Sequence, residues 1–223
     1  MRVRVPPPAY GRVVESLLQF AEELERRDAD LGSALDGVER LQLEVEELRV
    51  HVLGVVGFLE SFPEALAARE RDELAAVAAR DAATSALREA EGGEDEAALV
   101  LAHDVLRDAE RWAADAALAR QRLEEDGAAR RAEAAALEEQ AQTLSPRVHD
   151  VPPPAAGLEG ALEWVSRARG VLLLDHSALA RDRDAVVREA SELLGSVLGE
   201  PLTSTAVAGV RDKLERALGG EAP

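Results

Sequence analysis

The chain has 223 residues, no cysteine, six aromatic side chains and a formal net charge of −18. The missing thiols exclude disulfides and thiolate metal sites, and so large a negative charge opposes unspecific binding to phosphate backbones or anionic lipid heads. With 31% charged residues and abundant Ala, Leu, Glu and Arg, the composition points to long helices and away from a β-rich fold.

There is no Ile and no Asn, and Lys213 is the only lysine; all three use AT-rich codons, so a GC-rich genome, expected to be bacterial, is the expected source of part of the alanine. The N-terminal MRVRVPPP joins two arginines to a proline run with no apolar stretch behind it. Residues 1–8 therefore read as a flexible arm and not as a secretory signal.

A first helix is predicted over about 9–60. Val13, Leu17, Phe20, Leu24, Arg27, Leu31, Ala34, Val38, Leu41, Val45, Leu48, Val52, Val55 and Leu59 form fourteen successive a/d positions with a single charge. A 3.5-residue period held that long argues for a coiled coil or a long bundle helix. Arg27, the charged exception, reads as a register or specificity residue, with Glu23 one turn earlier as its expected partner.

A second helix is predicted over about 62–91. Ser61 is a good N-cap, Glu64 completes a capping box, and Pro63 is tolerated in a first turn. The two helices would then form a hairpin whose tip is plugged by Val52, Val55, Phe58, Leu59 and Phe62, with Gly54 and Gly57 letting a neighbouring backbone approach. The stretch from Val50 to Leu59 is apolar apart from His51 and those glycines, but ten residues are too few to span a bilayer. No membrane span is expected.

Gly92-Gly93 closes the second helix, and Glu94, Asp95 and Glu96 open a third over about 94–144. Its expected seam is Ala102, Val105, Ala109, Trp112, Ala116, Ala119 and Leu123, and Asp126-Gly127 is a candidate break. Residues 146–157, with Pro146 and Pro152-Pro153-Pro154, read as a stiff linker that separates a unit at 9–145 from one at 158–218.

A helix over about 158–198 carries Leu158, Val165, Leu172, Leu179, Val186 and Leu193 seven residues apart. A last helix is predicted over about 204–218, capped by Thr203 with a Leu202–Val207 staple, and residues 219–223 read as a disordered tail. At 1.5 Å per residue the first helix outruns the second by roughly 25 Å. The surplus, Val13 to Leu31, must meet the C-terminal helix or another chain, and another chain is favoured.

The alternate seam of the C-terminal helix places Arg169, His176 and Arg183 in a stripe about 20 Å long. This is a candidate interaction stripe for an acidic helix or an anion, weighed against a polar seam that fixes register. Trp164 lies off the seam and suggests a second contact surface. The four histidines lack metal-ligand spacing, and no phosphate loop, nucleophile elbow or supported acid pair occurs. No catalytic, cofactor or metal site is expected.

The sequence thus predicts an all-α, elongated coiled-coil or helical-hairpin protein without sheet. It is expected to be a non-enzymatic cytoplasmic scaffold that forms a homo-oligomer, a dimer by preference, or binds another helical protein. Nucleic acid and membrane are not expected partners. The competing readings are a membrane- or chromosome-associated structural protein and, behind it, a helical ligand-binding or enzymatic bundle.

Overall fold

The computed structural model describes residues 8–199 and 205–219. Among these the protein is all-α, with long helices packed as in a bundle and no strand. The order is α1 (Pro8–Glu91), α2 (Glu96–Leu144), a 3-10 turn (Ser145–Arg147), α3 (Leu158–Gly199) and α4 (Thr205–Ala217). Thr203, Leu202 and most of the N-terminal arm and C-terminal tail lie outside the described residues; Pro8 already begins α1.

Two compact units share these helices. The first comprises Met1–Glu46, Arg147–Val151 and Ser166–Pro223, the second Glu47–Pro146 and Pro152–Val165. Each draws on both α1 and α3, so neither is continuous in sequence.

In the first unit α1 and α3 pair antiparallel and α4 packs on both. Ala21 and Leu24 of α1, Val186, Ala190 and Val197 of α3, and Val210, Leu214 and Ala217 of α4 form one buried cluster, flanked by Leu17, Leu18 and Leu31. Lys213 pairs with Glu22, and Arg216 with Glu25 at 2.5 Å, so α4 runs parallel to this part of α1. Of the segment expected to need another chain, Val13 to Leu31, the positions Leu17, Leu18, Ala21, Leu24 and Leu31 thus pack with the chain's own C-terminal helices.

The expected register also drifts at this end. Val14 and Ala21 are buried, whereas Val13 and Phe20 are exposed. A straight helix turns 3.6 residues per revolution, so a strict 3.5 repeat walks off its face unless supercoiling holds it.

The second unit corrects the hairpin. α1 does not break at residue 61: it continues as one helix of 84 residues with Pro63 in its interior. An interior proline loses one i→i−4 hydrogen bond and costs about 3 kcal/mol. Ser61 does not cap a new helix; its hydroxyl donates to the carbonyls of Gly57 (3.1 Å) and Phe58 (3.0 Å). Such back-bonding belongs to a helix interior.

The cost is offset by burial against α2. Val52, Val55 and Phe62 are buried, and the Phe62 ring seats on Gly127 so closely that a Cβ there would lie 2.4 Å from Cε2. Phe58 and Leu59 are half-buried. Phe58 stacks near Phe62 at 5.8 Å between ring centroids, with Arg130 over Phe58 and Arg131 over Phe62. These five residues are therefore not a tip but the middle of an antiparallel pair. Gly127 is not a break either, because α2 runs through it.

The close approach assigned to Gly54 and Gly57 is not there, since a Cβ at either would meet nothing within 4 Å. The true hairpin turn is Gly92 to Asp95. Gly93 N–H donates to the Ala90 carbonyl, and Asp95 caps α2 by accepting from the amides of Ala97 (3.0 Å) and Ala98 (3.2 Å). Such a cap contributes about 1 kcal/mol.

Down this pair Ala76 packs with Ala113 and Ala116, and Arg120 spans the helices to Glu73 at 2.5 Å. Val105 and Trp112 were expected on this seam and are exposed instead, Trp112 at 47%. Trp164, expected to mark an outer surface, is 2% exposed and part of the core. The proline segment is tied to α2: Gln142 Nε2 donates to the Pro154 carbonyl at 2.9 Å, and Gly157 N–H to Glu138 at 3.2 Å.

Candidate interaction surface

Within the first unit, α3 carries the stripe singled out in the sequence. Arg169 pairs with Glu46 at 3.3 Å, His176 with Glu39 at 3.2 Å, and Arg183 with Asp28 at 2.9 Å. All three partners lie on α1 of the same chain. Seven residues forward on α3, from 169 to 176, correspond to seven backward on α1, from 46 to 39. Such a cross-helix ladder pins an antiparallel register as interhelical pairs do in coiled coils.

Asp28 is the buried member of the set, with its side chain 12% exposed. Its hydrogen bond with Arg183, then its charge, raise the guanidinium pKa above the ordinary arginine value. A buried carboxylate needs such a partner, because an unpaired buried charge is strongly destabilising. Arg27 joins the ladder too, but through Glu189 on α3 at 2.9 Å; Glu23 instead pairs with Arg26. Gln42 Nε2 adds a bond to the Leu172 carbonyl at 3.0 Å.

The ladder borders an open groove of about 450 Å³ between α1 and α3. Glu39, Gln42 and Glu46 form its α1 edge, Arg169 and His176 its α3 edge. Two leucines stand in it: Leu43 at 65% and Leu173 at 52% exposure. Neither sits on the heptad repeats, which is why the periodicity did not select them. A large aliphatic residue off the repeat is the signal that could have done so. The residues that pack with α4 come from Leu17–Leu31 and Val186–Val197, whereas the described residues that line this groove belong to α1 and α3.

The second unit has apolar exposure of its own. On α2, Leu101, Val105 and Trp112 are exposed at spacings of four and seven, which places them on one helix face. On α1, one 18-residue window reaches a mean hydropathy of 1.3 with 17% of it buried. That makes α1 long and apolar enough to cross a membrane by length and composition, although no 18-residue run is wholly apolar.

Among the described residues no group of three His, Asp or Glu side chains could hold a metal ion. His51, His103 and His149 are exposed and His176 is engaged with Glu39. No protein-family profile matches the chain, and neither a curated protein nor a solved structure matches it.

Proposed function

We propose that this chain is a non-enzymatic, cytoplasmic helical scaffold that self-associates, as a dimer by preference, and recruits other helical proteins through its helix faces. The observation that carries the reading is the α1/α3 groove, where Leu43 and Leu173 are exposed and which, among the described residues, is lined by α1 and α3 alone. A layer of two helices buries only one stripe of each; a second layer completes a four-helix arrangement.

The groove's charges favour a second copy as that layer. The α1 edge carries carboxylates and the α3 edge carries basic groups, so a two-fold pairing can set each acidic edge beside a basic one. The exposed Leu101, Val105 and Trp112 stripe offers another helix a separate place to dock.

The test is sedimentation equilibrium of the wild type and of the Leu43→Glu/Leu173→Glu double variant. Both leucines are exposed, so helix content and unfolding midpoint should hold while the wild-type dimer mass falls to that of a monomer. A wild type that stays monomeric at every concentration, or a variant that assembles like the wild type, would contradict the reading.

A second reading is favoured by the 18-residue window of α1: attachment to a lipid surface through that stretch. The net charge of −18 restricts it to uncharged lipid surfaces and opposes a chromosomal role. Co-sedimentation with zwitterionic vesicles, abolished by Leu53→Glu, would shift the balance towards it.

A further inference from the structure

On the other flank of the α1/α3 pair, within the first unit, lies a separate cleft of about 400 Å³. Arg40 lines it from α1, Arg147 from the 3-10 turn and His149 from the bend that follows. A chain with 44 acidic residues has here gathered two guanidinium groups and an imidazole around one cavity. The volume falls within the range of small-molecule sites.

The wall is held in place. Arg147 grips Glu44 of α1 through both terminal nitrogens, which fixes the turn against the helix while leaving Nε and further N–H groups uncommitted. Asp150, at the end of the bend, has a left-handed φ of 61°, a conformation with a steric cost that persists where surrounding structure demands it.

Arg40 donates from Nε to the Asp36 carbonyl at 3.1 Å. Among the described residues no carboxylate pairs with it, so its two terminal nitrogens are free to donate. The floor is apolar and includes Leu41 and Leu172, and Gly37 contributes no side chain that would fill the space. Asp175 on α3 also lines the cavity and has no ion-pair partner among the described residues.

We propose that this cleft binds a small organic acid that also carries an amino or hydroxyl donor. Arg40 and Arg147 receive the acid group, whose planar oxygens match guanidinium donors. Asp175 accepts from the donor group, and Leu41 and Leu172 contact the carbon skeleton. A bare inorganic anion satisfies the arginines but meets Asp175 with like charge, so the wall selects against it. The site is independent of the self-association groove.

Calorimetric titration at low salt with L-leucine, L-glutamate, L-lactate and inorganic phosphate tests this. At least one organic acid should bind saturably, and phosphate more weakly. Arg40→Gln should weaken that binding about tenfold or more, the effect of losing a charge-assisted contact. Gly37→Leu should abolish it by filling the floor, with circular dichroism unchanged. Asp175→Asn should narrow the gap between the organic acid and phosphate. No saturable binding by any of the four, tightest binding by phosphate, or affinities untouched by Arg40→Gln and Gly37→Leu would overturn the proposal.

Discussion

Replacing Gly127 with alanine adds one methyl group to the face of α2 that meets Phe62. The new Cβ would lie 2.4 Å from Phe62 Cε2 and 2.5 Å from Cζ. Carbon atoms sit comfortably at about 3.5–4.0 Å, so the ring must retreat by about 1 Å. Phe62 is buried between α2, the Phe58 ring and the Arg131 guanidinium, which leaves it little room. Overpacking of this kind costs about 1–3 kcal/mol. Against it stands the gain from removing a helix-interior glycine, about 1 kcal/mol.

Gly37→Ala supplies the reference, because it earns the same propensity gain with nothing within 4 Å of the new methyl. The difference between the two variants cancels propensity and leaves the packing cost, about 1–3 kcal/mol. Urea unfolding followed by far-UV circular dichroism reads it as a difference in midpoint at constant m value. Gly37→Ala should be stabilised and Gly127→Ala should fall below it by that margin. Equal stabilisation of both would refute the seating of Phe62 on Gly127, and with it the burial that offsets Pro63.

Other consequences follow from the packing and the ion pairs. Leu214→Ala should cost about 2–5 kcal/mol, because the side chain is fully buried where α4 meets α1 and α3; an unchanged unfolding midpoint would mean α4 does not dock. Trp112→Phe should leave a blue-shifted emission shielded from acrylamide, and Trp164→Phe a red-shifted, quenchable one; the reverse would restore the seam expected from sequence. The Glu44 carboxyl is held below the ordinary glutamate range chiefly by its hydrogen bond from Arg147, with the guanidinium charge adding to it. A depressed folded-state pKa contributes stability that is present above the unfolded value and lost as pH falls through the folded one. The thermal-stability difference between wild type and Arg147→Gln should therefore shrink on acidification below the glutamate range. A difference that grows on acidification would contradict the pairing.

Much of the helical plan was legible because its signals are local. Asp95 caps α2 and the aliphatic sevenfold repeat marks α3, so expected boundaries of 94–144 and 158–198 lie close to Glu96–Leu144 and Leu158–Gly199. What failed was non-local. Ser61-Phe62-Pro63-Glu64 satisfies the local rules for a helix start, whereas in the continuous helix Phe62 seats on Gly127 of α2, a contact that no local pattern encodes. In α2 the expected seam placed Ala109 and Ala116 correctly, both buried, but alanine occurs on every face, so periodicity could not tell that Ala113 is buried while Trp112 faces solvent.

The interaction stripe was legible as a set of residues, not as a set of contacts. Spacing alone aligned Arg169, His176 and Arg183. Their partners, Glu46, Glu39 and Asp28, lie more than a hundred residues away in sequence and depend on an antiparallel register that no local pattern encodes. The Arg40, Arg147 and His149 cleft was invisible for the same reason, since it needs the 3-10 turn to fold back beside α1.

The continuity of α1 through Pro63 can be measured as one distance. The chain has no cysteine, so nitroxide labels at Leu53→Cys and Leu74→Cys, both exposed sites, report without background. At 1.5 Å per residue a single helix holds the two backbone positions about 31 Å apart. A hairpin turning at residues 60–62 would bring them to about 12 Å, one helix–helix spacing plus a small stagger. A pulsed-EPR distance near the longer value is the expected result; one near the shorter value would contradict the fold described above.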